Sequence, residues 1–154
     1  MMCGPYCVEY VMHELREPLD EESATSLCFV LKTSEDGTRP QEIEKFFQNK
    51  GHYANFLEDL DFSDLIRLNE KNFVIVDWWS VFDEDGQAAP GDGHYSVVKH
   101  ITEKKIVLFD PDAPNLERTL SRFVFAAHWY DVESLEDGTR HDINGGAIVI
   151  PKPF

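Results

Sequence analysis

No stretch of this sequence approaches the roughly 20 consecutive apolar residues that a membrane-spanning helix requires. Met1 is not followed by a basic region and an apolar run, so no secretory signal is expected. Basic side chains are scarce. The 14 Lys and Arg stand against 29 Asp and Glu, a formal net charge of −15. A surface of that sign repels phosphates and anionic headgroups, which argues against nucleic acid and membrane surfaces as partners. Cysteine is almost lacking too. Three thiols, at Cys3, Cys7 and Cys28, cannot all pair within one chain. A domain of this size needs no disulfide staple, so free thiols and a reducing, cytoplasmic setting are expected.

What remains is ordinary globular material. Hydrophobic residues make up 42 % of the 154, including 11 Phe, 5 Tyr and 3 Trp, far too many for a disordered acidic tail. The length suits one domain, 1–154, around a single core. The first half has helical periodicity. Val8, Val11, Met12 and Leu15 recur at spacings of three and four behind Gly4-Pro5, and Pro18 stops that helix. A second helix is expected over 22–32. Thr38 and Gln41 have the spacing of a capping box for a third, which carries Ile43, Phe46 and Phe47 and stops at Gly51. Asp61 or Ser63 caps a fourth.

The second half changes period. Phe73-Val74-Ile75-Val76-Asp77-Trp78-Trp79 is a buried-strand run. Residues 82–93 are rich in Gly, Pro and Asp and are expected to form a loop. His94–Ile101 and Ile106–Phe109 make a hairpin around a polar turn, and Asp110-Pro111 breaks it. A short helix over 120–130, a closing strand over 146–150 and a short strand near 52–56 complete the reading. Helices first and strands later give an α+β fold, with helices packed on an antiparallel sheet.

Three pieces carry chemistry. Cys3-Gly4-Pro5 opens a helix, whose positive end and free N–H groups favour an anion. Gly4 leaves room for a substrate beside the sulfur. His94 begins a strand after the glycine-rich segment, and an imidazole next to a thiol can take its proton and deliver it to a leaving amine. Asp110 ends the neighbouring strand. Those two strand ends share one edge of the sheet, where a carboxylate can fix the imidazole tautomer.

Cys-Gly-Pro at a helix start, then Gly-His-Tyr-x-Val-Val, then Asp-Pro resembles the signature of the C39-type cysteine peptidases, which include the bacteriocin-processing domains. Phe123 or Phe125 and Trp129 match the Phe and Trp that this family carries downstream. The resemblance implies a papain-like fold, with Cys3 as nucleophile, His94 as general base and acid, and Asp110 as orienter. It implies cleavage of a peptide or amide bond in a peptide or protein substrate. That reaction asks for no cofactor and no metal. The family also places a Gln a few residues before its cysteine. Only Met1 and Met2 stand there, which implies a native chain that extends upstream or a weakened enzyme. The alternative is an inactive C39-like module that binds peptides in the same groove. Oligomeric state and substrate identity are not encoded in any motif.

The remaining candidates have bland readings. Cys7 shares a helix face with Cys3 and is expected to pack in the core, as is Cys28 among Leu27, Phe29 and Val30. His13, His52, His100, His128 and His141 read as structural or surface residues. Asp83-Glu84-Asp85-Gly86 and Asp110-Pro111-Asp112 lack the spacing of calcium loops. Asp83, Glu84, Asp85 and Asp92 precede His94 and are expected to rim the cleft, where they would favour cationic or neutral peptides. Glu133, Glu136, Asp137 and Asp142 are expected to form a second acidic loop.

Overall fold

The computed structural model describes residues 2–83 and 85–154. Helix α1 (Cys3–Glu14) is followed by two short helices, α2 (Glu21–Thr25) and α3 (Leu27–Val30), and by α4 (Pro40–Asn49). The single helix expected over 22–32 is therefore two pieces. Ser26 separates them by turning its hydroxyl back onto the Glu22 carbonyl at 3.1 Å, a local bond that competes with regular helix. Phe29 and Val30 point outward rather than into the core, and Cys28 is only partly buried.

Strand β1 (Asn55–Leu57) and helix α5 (Phe62–Lys71) precede the long strands β2 (Asn72–Phe82) and β3 (Ala88–Ile101). Asp61 caps α5 with a full capping box to Asp64. Then come β4 (Lys105–Phe109), β5 (Glu117–Ser121), α6 (Arg122–His128), β6 (Tyr130–Ser134), β7 (Arg140–Asn144) and β8 (Gly146–Pro151). Six strands form one antiparallel sheet in the order β1-β8-β2-β3-β4-β5, and β6 and β7 make a separate hairpin.

Two expectations are corrected here. Residues 88–93 are strand, because Gly93, Asp92 and Ala88 pair with Trp79, Ser80 and Phe82. Turn-forming residues can join a ladder when the partner strand is long enough to hold them. The second acidic loop is also the β6–β7 hairpin, turning at Gly138 with φ +83°.

Alternation along β2 divides the core. Phe73 and Ile75 pack with Val8, Val11 and Met12 of α1 and with Phe47 of α4 on one face. Val74, Val76 and Trp78 pack with Leu65 of α5 and with Phe125 and Trp129 on the other. The sheet is therefore covered on both faces. Phe125 and Trp129 are buried while Phe123 is exposed, so Phe125 is the member of that pair inside the core. Among the described residues no helix is long and apolar enough to cross a membrane.

Candidate functional site

The β4 ladder ends where Phe109 pairs with Val97. Beyond that point, β3 has β2 on one side and, among the described residues, no hydrogen-bonded strand on the other. Helix α1 packs on β3, and the open edge leaves its first residue access to His94. Met2 supplies no side-chain cap, and Pro5 has no N–H, so the free N–H groups at the head of α1 belong to Cys3 and Gly4. A Cβ on Gly4 would stand 2.6 Å from Thr38 Oγ1, so glycine is what admits the Thr38 segment against the helix start.

Thr38 does not cap α4. Arg39 occupies the cap position without a side-chain bond. The Thr38 hydroxyl lies 2.7 Å from that of Thr33, and its carbonyl accepts the Tyr95 hydroxyl at 2.6 Å. Thr38 is thus spent on fixing the loop that walls the cleft.

His94 pairs across the ladder with Trp78, and its ring meets the Trp78 edge at a centroid distance of 5.6 Å. His94 Nε2 lies 2.5 Å from Asp110 Oδ1. Arg118 Nε donates to Asp110 Oδ2 at 2.6 Å, and the Asp112 N–H donates to Oδ1 at 3.0 Å. The Arg118 guanidinium also covers the Phe82 ring. Nε2 is taken by Asp110, so Nδ1 is the ring nitrogen free to face outward, and it lies 3.7 Å from Asp112 Oδ2. Cys3 lines the same small pocket as His94 and Asp112.

The structure therefore brings Cys3, His94 and Asp110 together. All three are buried, with Cys3 at 8 % exposure, His94 at 5 % and Asp110 at 0 %. Burial alone would lower the His94 pKa, but hydrogen bonds and charge from Asp110 and Cys3 raise it to about 10. Burial likewise opposes ionisation of Asp110, yet His94 and Arg118 hold it at about 2. The arrangement is a positively charged imidazole locked by an ionised carboxylate beside the Cys3 sulfur.

Cys7 is fully buried one turn further along α1, and burial pushes its thiol well up, with smaller contributions from Cys3 and Asp110. It packs and does not join the site. His13 and His100 are exposed, while His52 and His141 pair with Glu17 and Glu58 at the surface. Asp92 lines the clefts beside Cys3, whereas Asp83 and Asp85 border an adjoining depression with Asp112. Glu84 lies outside the described residues, as does Met1. Among the described residues, no group of three His, Cys, Asp or Glu side chains is placed to hold a metal ion.

Sequence reasoning missed three residues around this centre. Arg118 was legible as the inward member of the alternation Glu117-Arg118-Thr119-Leu120, had β5 been read as a strand. Asp77 is the lone acid in an otherwise apolar strand run. Asp131 has no signal of its own, because only folding brings β6 against β2 and β3.

The model of the peptidase C39 family matches residues 1–133. The fold is similar to the peptidase domain of Streptococcus ComA, a bi-functional ABC transporter involved in a quorum-sensing pathway. That match has 18 % identity and a TM-score of 0.65, and covers 97 % of this chain and 90 % of that one. A double glycine motif protease from an AMS/PCAT transporter, solved in complex with the leader peptide, is similar at 14 % identity and a TM-score of 0.63. It covers 97 % of this chain and 84 % of that one. The peptidase domain of Streptococcus mutans ComA matches at 18 % identity and a TM-score of 0.56, over 97 % and 90 %. No curated protein sequence matches the chain. At such identities the solved structures establish the papain-like fold.

Proposed function

The chain belongs to the peptidase C39 family, and on that premise we propose that it is a thiol-dependent hydrolase cleaving a peptide or amide bond. Cys3 is the nucleophile, His94 the acid and base, and Asp110 the residue that orients the imidazole. A peptide is the substrate class, by analogy with the leader peptide bound to a similar protease. The observation that carries this reading is the Asp110–His94 pair at 2.5 Å with Cys3 beside the ring.

In the first half-reaction the Cys3 sulfur, whose proton the His94 imidazolium already holds, attacks the substrate carbonyl. The N–H groups of Cys3 and Gly4, free at the helix start, donate to the carbonyl oxygen as it gains negative charge. His94 then protonates the leaving nitrogen, and the C–N bond breaks to leave a thioester. In the second half, His94 takes a proton from water, the hydroxide oxygen attacks the thioester, and the C–S bond breaks to release the acid product, with the proton left on His94. Asp110 keeps Nε2 engaged throughout, so Nδ1 faces the reacting atoms. Three free thiols suit a reducing compartment, the cytoplasm in this reading.

Alkylation by iodoacetamide at neutral pH, with the modified residue identified by mass, tests the pair. Cys3 is expected to be the reactive thiol and to slow about 100-fold in His94→Ala, the lower range for loss of a general base. Equal rates in the two proteins would remove the hydrolase reading.

A further inference from the structure

The two half-reactions begin with His94 in different charge states, and the second begins with a neutral ring. A neutral imidazole carries one proton, and the bond made by one nitrogen decides the state of the other. Only a ring protonated on Nε2 leaves Nδ1 open to take a proton from water. In the competing state Asp110 is a neutral acid that donates to Nε2, and the ring proton sits on Nδ1. Asp110 is at 0 % exposure, and burial favours that neutral acid. A group other than the imidazolium must therefore hold the carboxylate once the ring is neutral.

Arg118 is placed to do so. Its Nε donates to Asp110 Oδ2 at 2.6 Å, the oxygen that His94 does not use. The Asp112 N–H shares Oδ1 with His94 and brings no net charge. Arg118 is buried, with its guanidinium 5.0 Å from the centre of the Phe82 ring, so water does not take its place. Among the described residues its Nη2 is buried without a hydrogen-bond partner. Packing alone does not ask for that cost, because apolar residues of similar volume commonly fill such positions as well or better.

The backbone is bent to put it there. Arg118 lies opposite Leu108 in the β4–β5 ladder, just short of Asp110. The chain returns through Asn115 and Leu116, at φ 56° and 59°, and the Asp110 N–H closes the loop on the Leu116 carbonyl at 3.0 Å. A left-handed Leu is strained, and this one is exposed and recovers little by burial.

We propose that Arg118 is a positioning residue: acting through Asp110, it keeps the neutral His94 ring protonated on Nε2, so that Nδ1 can take the proton of water in the second half-reaction. The charge count agrees. Thiolate, imidazolium, carboxylate and guanidinium sum to zero in the resting centre. Thioester, neutral imidazole, carboxylate and guanidinium sum to zero again. Without Arg118 both stages hold an uncompensated buried negative charge. This role belongs to the proposed hydrolase reaction and rests on that reading.

Cys3→Ala gives access to the neutral ring without any reaction. The charged groups around His94 are then Asp110 and Asp112 after β4, Asp92 of β3 and, through Asp110, Arg118 of β5. Nitrogen NMR above the His94 titration is expected to find the proton on Nε2. Adding Arg118→Gln should move it to Nδ1, whereas Arg118→Lys, which keeps the charge, should leave it on Nε2. A proton that stays on Nε2 in Arg118→Gln overturns the proposal, since a merely structural arginine would lower stability and leave the tautomer alone. If Arg118→Gln does not fold, the Arg118 Nε–H signal decides in the Cys3→Ala protein. It should shift as His94 titrates, and a signal that stays still overturns the coupling.

The rate is read with Cys3 restored. Acetylation by p-nitrophenyl acetate forms the thioester, and its lifetime is followed by mass. Arg118→Gln should lengthen that lifetime about 100-fold, the lower range for loss of a general base, and an equal lifetime overturns the role. A wild-type thioester no shorter-lived than free S-acetylcysteine would count against the hydrolase reading, while the tautomer would still decide on Arg118.

Discussion

Asp110 and Asp77 are both sealed from solvent, and they sit at the same end of one sheet, yet their surroundings are opposites. Asp110 accepts from Arg118 and the Asp112 amide and is paired with His94. Asp77 has no cation or backbone N–H among the described residues, and burial and the neighbouring Asp131 carboxyl push its pKa well up. Burial disfavours the charge on each, and only partners reverse that cost. Asp110 is therefore a fixed anion that holds an imidazolium in place. Asp77 is an acid that burial and Asp131 hold toward its neutral form. One aspartate is saturated with donors as a charge, and the other is accommodated by staying neutral.

The largest effect should come from breaking the saturated member. Asp110→Asn keeps the shape but removes the charge, which leaves His94 and Arg118 buried without their counter-ion. A loss of about 3–5 kcal/mol is expected from a broken buried pair, read by urea denaturation. Hydrolysis should fall about 10⁴-fold as the imidazole loses its orienter. A stability change under about 1 kcal/mol would mean that Asp110 is not the anchor of the site.

The unsaturated member should respond with the opposite sign. Asp77→Asn replaces a carboxyl that must stay protonated with an amide that can donate to Asp131. A gain of about 1 kcal/mol is expected at pH 8. The pH dependence follows from linkage. Asp77 has a raised pKa when folded, so the unfolded chain loses this proton more readily, and wild-type stability declines as pH rises above the ordinary carboxyl value of 3.8. The gain in the variant should therefore shrink toward pH 4.

The Asp110–His94 pair sets a different window. Asp110 contributes stability above 3.8 that is lost as pH falls through about 2. His94 contributes stability below 6.5 that is lost as pH rises through about 10. Denaturation midpoints across pH should thus show the pair at full strength between about 4 and 6.5. A stability loss in Asp77→Asn at pH 8 would show that its carboxyl has a structural partner after all.

The same contrast explains what was legible in the sequence. Cys3 and Asp110 stand at element ends beside proline, and His94 follows a glycine-rich run inside β3, so local motifs survive in the chain order. The paired ends of a hairpin are a short-range prediction, so the meeting of His94 and Asp110 could be read in advance. Asp77 and Asp131 meet only because β6 folds against β2 and β3 after a gap of more than fifty residues, and no local pattern encodes that. Thr38 shows a different limit. Its capping-box spacing was real, but bonds to Thr33 and Tyr95 outcompeted the helix end. Residues 88–93 were misread because turn-prone composition yielded to a long partner strand in β2.

The smallest expected effect is the sharpest check on which aspartate matters. Asp112 also faces His94, at 3.7 Å from Nδ1, but its side chain is 62 % exposed. Water and salt screen such a charge, and its contribution to stability should stay within about 0.5 kcal/mol. Its link to Asp110 runs through the backbone amide, which a side-chain change does not remove. Asp112→Asn should therefore leave the denaturation midpoint nearly unchanged and alter Cys3 alkylation by less than about threefold, the rate equivalent of roughly 0.6 kcal/mol. The loss of one nearby negative charge should move the alkaline limb of the rate profile to slightly lower pH, and high salt should erase that shift. A drop near that expected of Asp110→Asn would reverse the assignment: the exposed carboxylate on Nδ1, rather than the saturated one on Nε2, would be what holds the imidazole for reaction.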